Sequence, residues 1–319
     1  MIDLSKLTET QLKIREVALV GMKMRAIIEG NKIPDWAFEG SADLTAITIP
    51  GDVTEIGVGA FYGCAGLTSI SIPASVAVIK NNAFEGCVKL ANIDVAAGNA
   101  RYSSADGVLF DVARRKLITC PEGKQGEYVI PDGVTAIEEK AFYNCAALTS
   151  IAIPDGVTSI GASAFEGCAG LTSIDIPDGV ITVGNHAFRR CSNLAAINVA
   201  GCSSGVLLSK SKKTLITCPE GREGDFTIPE GVSAIGERAF EGCAKLEMIY
   251  IPEGVTSISD NAFEGLVCWF VHVSCSVPPK ISKKSFPEPM GFMLAVSPEY
   301  VHLYNEDEMW KDFYYWVEI

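Results

Sequence analysis

The sequence predicts a right-handed solenoid of 23-residue turns with short parallel β-strands along one wall. Ile-Pro pairs fall at Ile49-Pro50, Ile72-Pro73, Ile130-Pro131, Ile153-Pro154, Ile176-Pro177, Ile228-Pro229 and Ile251-Pro252. Ala-Phe pairs fall at Ala37-Phe38, Ala60-Phe61, Ala83-Phe84, Ala141-Phe142, Ala164-Phe165, Ala187-Phe188, Ala239-Phe240 and Ala262-Phe263, and neighbours within each run are 23 positions apart. Two gaps break the rhythm: 58 residues from Ile72 to Ile130 and 52 from Ile176 to Ile228. Each gap holds one standard turn plus one enlarged turn, of 35 and 29 residues.

The unit, clearest from Leu148 to Gly170, reads L-T-S-I-D-I-P-D-G-V-T-S-I-G-x-x-A-F-E-G-C-A-G. L-x-x-I-x-I is a short strand with Leu and both Ile turned into the coil and the intervening residues turned outward. The Pro that follows removes a ladder donor and fixes φ, so the strand stops there. Asp-Gly makes the turn, V-x-x-I returns along the opposite wall, and A-F-x-x-C fills the next corner. One turn alone cannot bury its apolar side, so turns stack at about 4.8 Å per step. Eleven or twelve strand-bearing turns would give a stack about 50 Å long.

The enlarged turns read as hairpins, Gly107-Val-Leu-Phe110 with Lys116-Leu-Ile-Thr-Cys120 and Gly205-Val-Leu-Leu208 with Thr214-Leu-Ile-Thr-Cys218. They replace the ordinary return wall, so they are expected to project from the side opposite the L-x-x-I-x-I strands. At the N-terminus Ile14-Arg-Glu-Val17-Ala-Leu19 reads as a diverged first strand, preceded by a polar segment with Thr8-x-x-Gln11 as a helix start. At the other end Phe292-Met-Leu294-Ala-Val296 reads as the last strand. Ser297-Pro298 then opens a helical piece, and Trp310, Phe313 and Trp316 close the core.

Hydrophobic residues make up 48% of the chain and charged residues 20%, which suits a large core and not a disordered chain. A formal charge of -13 repels phosphate backbones and anionic lipid heads, arguing against nucleic acid or a membrane surface as partner. No apolar run approaches the roughly 20 residues of a spanning helix. The start, MIDLSKLTETQLKIREV, shows no succession typical of an export signal. That fits a cytoplasmic protein or the mature part of an exported one.

The A-F-x-x-C turns, the inserts Tyr102-Ser-Ser-Ala-Asp-Gly-Val-Leu-Phe110 with Leu117-Ile-Thr-Cys-Pro121, and the tail Trp310-Lys-Asp-Phe313 with Val317-Glu-Ile319 carry a specific resemblance. From about Val17 to the end the chain resembles the BspA-like (Treponema-type) leucine-rich-repeat proteins of anaerobic bacteria. The resemblance implies a leucine-rich-repeat solenoid and a surface protein, normally exported, that binds host or bacterial surface components. The expected organisation is one domain over 1–319, with an N-terminal cap and first strand at 1–20, repeats over 21–296 and a C-terminal cap at 297–319. A cell-surface or secreted location and a monomer are expected.

Catalytic and metal chemistry find little support in the residues. Of the 11 cysteines, Cys64, Cys87, Cys145, Cys168, Cys191 and Cys243 occupy the A-F-x-x-C corner, where a free Cys packs as a small buried hydrophobe. Cys120 and Cys218 recur at one place in the two inserts and read the same way. Cys268-x-x-x-His272-x-x-Cys275 has zinc-ligand residue types but lacks a fourth ligand, and strand alternation turns Cys268 inward and His272 outward. The Gly57-Val-Gly59 stretch mimics a phosphate loop, yet the same phase recurs at Gly161 as part of the repeat. No cofactor, no metal and no enzymatic activity are expected.

The outward strand positions are left for function. Thr45, Thr48, Thr68, Ser69, Ser71, Thr149, Ser150, Ala152, Thr172 and Ser173 are small and neutral. Aligning Leu246–Ile251 with Cys268–Val273 places Glu247, Met248, Tyr250, Trp269, Phe270 and His272 outward on adjacent strands, with Met293 and Ala295 extending the row. Exposed aromatic and Met clusters typify recognition sites. The expected function is a non-enzymatic adhesion or recognition module that binds a protein or glycan through this wall. The alternative is a structural spacer within a larger surface protein, with the C-terminal tail folded over the aromatic face.

Overall fold

The computed structural model describes residues 30–199, 204–266, 270–286, 293–311 and 313, and the backbone of 315–316. The expected N-terminal cap and first strand at 1–20 lie outside the described residues. The chain winds as a coil with two walls of parallel strands. The longer strands form one wall, including Ser69–Ile72, Asn92–Val95, Ser173–Ile176, Ala196–Val199 and Leu246–Ile251. Their register repeats the sequence period, as in Ser69↔Asn92, Ile70↔Ile93 and Ser71↔Asp94. Leu67, Ile70 and Ile72 point into the coil and are buried, while Thr68, Ser69 and Ser71 are exposed. Two-residue strands build the return wall, with Ser159–Ile160 paired between Ala136–Ile137 and Thr182–Val183.

The connecting turns follow from the residues. The Val53 and Val157 amides donate to the Pro50 and Pro154 carbonyls (both 3.1 Å) and close the Pro-x-x-Val turn. At the far corner Phe61 N–H donates to Ala83 O (2.9 Å) and Phe165 N–H to Ala187 O (2.8 Å), tying each turn to the next. The rings stack in the same direction, Phe61 on Phe38 with centroids 5.3 Å apart and Phe165 on Phe142 at 5.2 Å. Burying each such side chain contributes about 1.5–3 kcal/mol. The corner thiols also have a partner: Cys64 Sγ donates to Phe38 O (3.0 Å) and Cys168 Sγ to Phe142 O (3.1 Å). A residue directly before each Ala-Phe pair adopts left-handed φ whatever its type, as Trp36 (60°), Lys140 (58°), His186 (59°) and Arg238 (57°) show. The stack therefore imposes a conformation that L-residues adopt only at a cost.

The enlarged turns hold the expected antiparallel pairings, Val108–Asp111 with Lys116–Thr119 and Leu207–Leu208 with Thr214–Thr217. The first is a three-stranded meander, because Tyr102–Ala105 also pairs with Val108–Asp111. Their expected position, projecting from the return wall, is corrected. Lys116–Thr119 does lie on the return wall beside Ala136–Ile137, but the hairpin crosses the coil. The end opposite its tip reaches the strand wall, where Ile93 N–H donates to Gly107 O (2.9 Å), and Ile197 N–H donates to Gly205 O (3.0 Å) in the second insert. The residues give the reason: Val108, Leu109 and Phe110 are consecutive, apolar and fully buried, so the strand must be covered on both faces. Leu109 packs into the core of residues 33–109, whereas Val108 and Phe110 pack into the next core. Leu207 and Val206 divide in the same sense between the second core and the third. The inserts are internal partitions, and the strand wall is interrupted after Asn92–Val95 and after Ala196–Val199.

One further turn escapes the Ala-Phe pattern. Ser285-Phe286 stands 23 positions after Ala262-Phe263, and the two Phe rings stack at 4.7 Å. The buried Ser285 hydroxyl donates to Ile258 O (3.0 Å), which explains why a polar residue replaces Ala there.

Candidate functional site

The expected site lies on the last block of the strand wall, whose order is Gly224–Thr227, Leu246–Ile251, Phe270–Val273, Met293–Val296 and Tyr315–Trp316. The register sets Met248 beside Phe270 and Tyr250 beside His272, then Phe270 beside Met293 and His272 beside Ala295. Two outward rows result: Asp225, Met248, Phe270, Met293 and Thr227, Tyr250, His272, Ala295. Period-two alternation puts Ile249 and Val271 inward and fully buried between them.

Glu247 is exposed, while Met248, Tyr250, Phe270, His272 and Met293 are half-buried and Ala295 is nearly covered. Large neighbours shield each other across the strands: the Tyr250 and His272 rings lie 5.6 Å apart at 45°. His272 Nδ1 is 3.2 Å from Ser274 Oγ, which fixes the ring. The polar side of the patch is Asp225 and Glu247, both exposed. Trp269 lies outside the described residues, as does Cys268.

The described part of the C-terminal tail packs onto the third core through Tyr304, Trp310 and Phe313. Trp310 is fully buried, its ring edge-on to Phe286 (5.7 Å) and Tyr304 (5.2 Å), and its Nε1 donates to Pro279 O (2.7 Å). Tyr304, on the short helix Val301–Glu306, donates its hydroxyl to Cys275 O (2.9 Å). Tyr315–Trp316 then pairs with Leu294 and Ala295 as an edge strand, so its backbone extends the sheet sideways.

The described cysteines are free and buried. Burial pushes the Cys191 thiol up to about 12 and Cys275 to about 11, so neither is a nucleophile near neutral pH. Cys275 faces inward and donates to Pro252 O and Val255 O (both 3.3 Å), whereas His272 faces outward. Among the described residues no three His, Cys, Asp or Glu side chains gather as a metal set, and no helix is long and apolar enough to cross a membrane.

A family profile described as BspA type leucine-rich repeat region, in six copies, matches residues 31–111, 119–206 and 223–287. The chain belongs to this BspA-type family. Among solved structures it is similar to a leucine-rich repeat protein from Eubacterium ventriosum, with 27% identity and a TM-score of 0.59 over 79% of this chain. It spans 64% of that protein's length. It is also similar to a leucine-rich cell surface protein from Faecalibacterium prausnitzii, with 26% identity and a TM-score of 0.54, covering 90% of this chain and 82% of that one. The pneumococcal vaccine antigen PcpA shares the fold at 22% identity, with a TM-score of 0.55 over 91% of this chain and 71% of its own. No curated protein matches the chain. Like the leucine-rich repeat proteins it resembles, this is a repeat protein of stacked parallel turns.

Proposed function

We propose that the chain is a non-enzymatic recognition module that works at a bacterial cell surface or after secretion, binding a surface protein or glycan through the last block of the strand wall. The observation that carries this reading is the paired Tyr250 and His272 rings, set on adjacent strands in one outward row beside Met248, Phe270 and Met293. Rigid aromatic side chains on a sheet supply contact area at low entropic cost, and Tyr and Trp dominate binding hot spots. The cell-surface description of the Faecalibacterium neighbour supports the location.

The test is a double change, Tyr250→Ala with His272→Ala, screened beside wild type against immobilised matrix proteins and surface glycans. Binding seen with wild type should weaken by about 2 kcal/mol or more. Thr68→Ala with Thr172→Ala is the control, since both are exposed, and should change nothing. Loss of binding in the control alone would move the site to the earlier blocks. A spacer role is the second reading, favoured by the exposed Ser, Thr and Ala positions of those blocks. Unchanged binding in both variants would leave the strand wall as a spacer.

A further inference from the structure

Each insert shortens one corner of the coil. In a standard turn the corner Phe stands five positions after the inward return-wall residue, as Ile137 and Phe142 show. In the inserts Cys120 stands only three positions after Leu117, and Cys218 only three after Leu215. Cys120 N–H donates to Ala141 O (2.6 Å), so Cys120 takes the place of the ring-bearing residue in the ladder. The lost residues leave a gap between two full corners, and at the first insert it is a cleft of about 470 Å³. That falls within the usual range of small-molecule sites, about 300–1,000 Å³.

The gap interrupts a row of main-chain hydrogen bonds. In the preceding turn Gly59, Phe61 and Gly63 N–H donate to Asn81 O (3.1 Å), Ala83 O (2.9 Å) and Glu85 O (2.8 Å). One turn on, Gly86, the counterpart of Gly63, donates its N–H to Glu122 Oε1 (2.6 Å), and ahead of the row Ile79 N–H donates to Tyr102 Oη (2.9 Å). Between them the Asn82 and Phe84 amides, which line the cleft, have no acceptor among the described residues. The facing rim offers an acceptor, the exposed Glu139 carboxylate. Phe84, Ile118 and Pro121 form an apolar floor, and Tyr143 forms a side.

The charges narrow the ligand class. The cleft's ammonium groups are already paired, Lys80 with Glu55 (3.0 Å), Lys116 with Glu138 (3.0 Å) and Lys140 with Glu85 (3.0 Å). No unpaired cation is left for a phosphate or carboxylate, and the chain's net charge of -13 opposes an anion further. Amide donors on one side, oxygen acceptors on the other and an apolar floor suit a molecule whose neutral hydroxyls both donate and accept around an apolar C–H face. We propose that this cleft, on the wall opposite the aromatic patch, binds a neutral carbohydrate unit, its hydroxyls accepting from the Asn82 and Phe84 amides and donating to Glu139.

The second insert supplies a control within the same molecule. Its equivalent gap is about 90 Å³. There Arg189 and Arg238 close on Glu241 at 3.0 and 3.3 Å, at the positions of Glu85, Lys140 and Tyr143 in the first gap.

The experiment is ligand-observed saturation-transfer NMR on the full chain with methyl glycosides of glucose, galactose, mannose and N-acetylglucosamine, beside inorganic phosphate and trialanine. At least one glycoside should show transfer. Asn81→Trp, at an exposed rim position, should weaken that binding by roughly tenfold or more. Asn185→Trp at the equivalent rim of the second gap should leave it unchanged. Thermal midpoints check that each variant folds, and Glu139→Trp on the facing rim is the second blocking variant. The proposal is overturned if no glycoside binds wild type, if binding survives in a folded blocking variant, or if only phosphate or the peptide binds.

Discussion

Replacing Glu122 by alanine removes the acceptor of the Gly86 N–H, whose counterpart Gly63 N–H is held by a carbonyl of the following turn. An amide left without a partner costs about 1–3 kcal/mol, and Glu122→Ala should lose that much stability in urea unfolding near pH 4, where the carboxyl is neutral in the folded chain. Glu122→Gln keeps an acceptor oxygen at the same place and drops the charge. Burial pushes the Glu122 carboxyl up to about 7, from an ordinary value of 4.5. Between those values the folded chain holds a proton that the unfolded chain has lost, so this group lowers stability as pH rises through that window. Glu122→Gln should therefore match wild type near pH 4 and exceed it at pH 8, flattening the slope between. Glu220 repeats the arrangement, with its Oε1 accepting from Arg190 N–H (2.6 Å) and its carboxyl raised by burial. An alanine variant as stable as wild type at every pH would refute the idea that this carboxylate completes the main-chain ladder.

Three further outcomes are expected. Tyr128 Oη is buried with no hydrogen-bond partner among the described residues while Phe226 fills the equivalent place in the second insert, so Tyr128→Phe should raise stability by about 1 kcal/mol in chemical denaturation; a loss would mean the hydroxyl is bonded. Trp310→Ala opens the end of the third core and should destabilise by about 3–5 kcal/mol, and truncation after Val296 should leave the chain insoluble or partly unfolded; an unchanged melting midpoint in both would show that the tail is no cap. Thiol titration should be low in the native protein and rise sharply in denaturant without reductant, because the described cysteines are free and buried; a persistently low value in denaturant would reveal disulfides.

The repeat, its inward rows and the register of the last block were legible because each depends on a spacing of 23 or on alternation along a strand. The burial of Trp310 was legible, because it is a large apolar residue beyond the last strand. The path of the inserts was not. Val108 and Leu109 read equally well as a hairpin projecting from one wall, and only packing on both faces distinguishes a partition. Ser285-Phe286 was hidden because one hydroxyl stands where the pattern has Ala. The clefts had no signature either, since they arise from two residues missing at a corner and from main-chain amides, which every sequence contains.

Leu109 faces the core before it, and Val108 and Phe110 face the core after it. The second insert, whose Cys218 stands 98 positions after Cys120, presents Leu207 and Val206 in the same two directions. The stretch from one partition to the next is thus a cassette with matching ends. Copying it in tandem would create no unfamiliar junction, because the new seam would be Leu on one side and Val on the other, as at both existing seams. Such a chain can lengthen by whole cassettes during gene duplication, and each copy would bring its own shortened corner, free to stay open or to be filled by an ion pair.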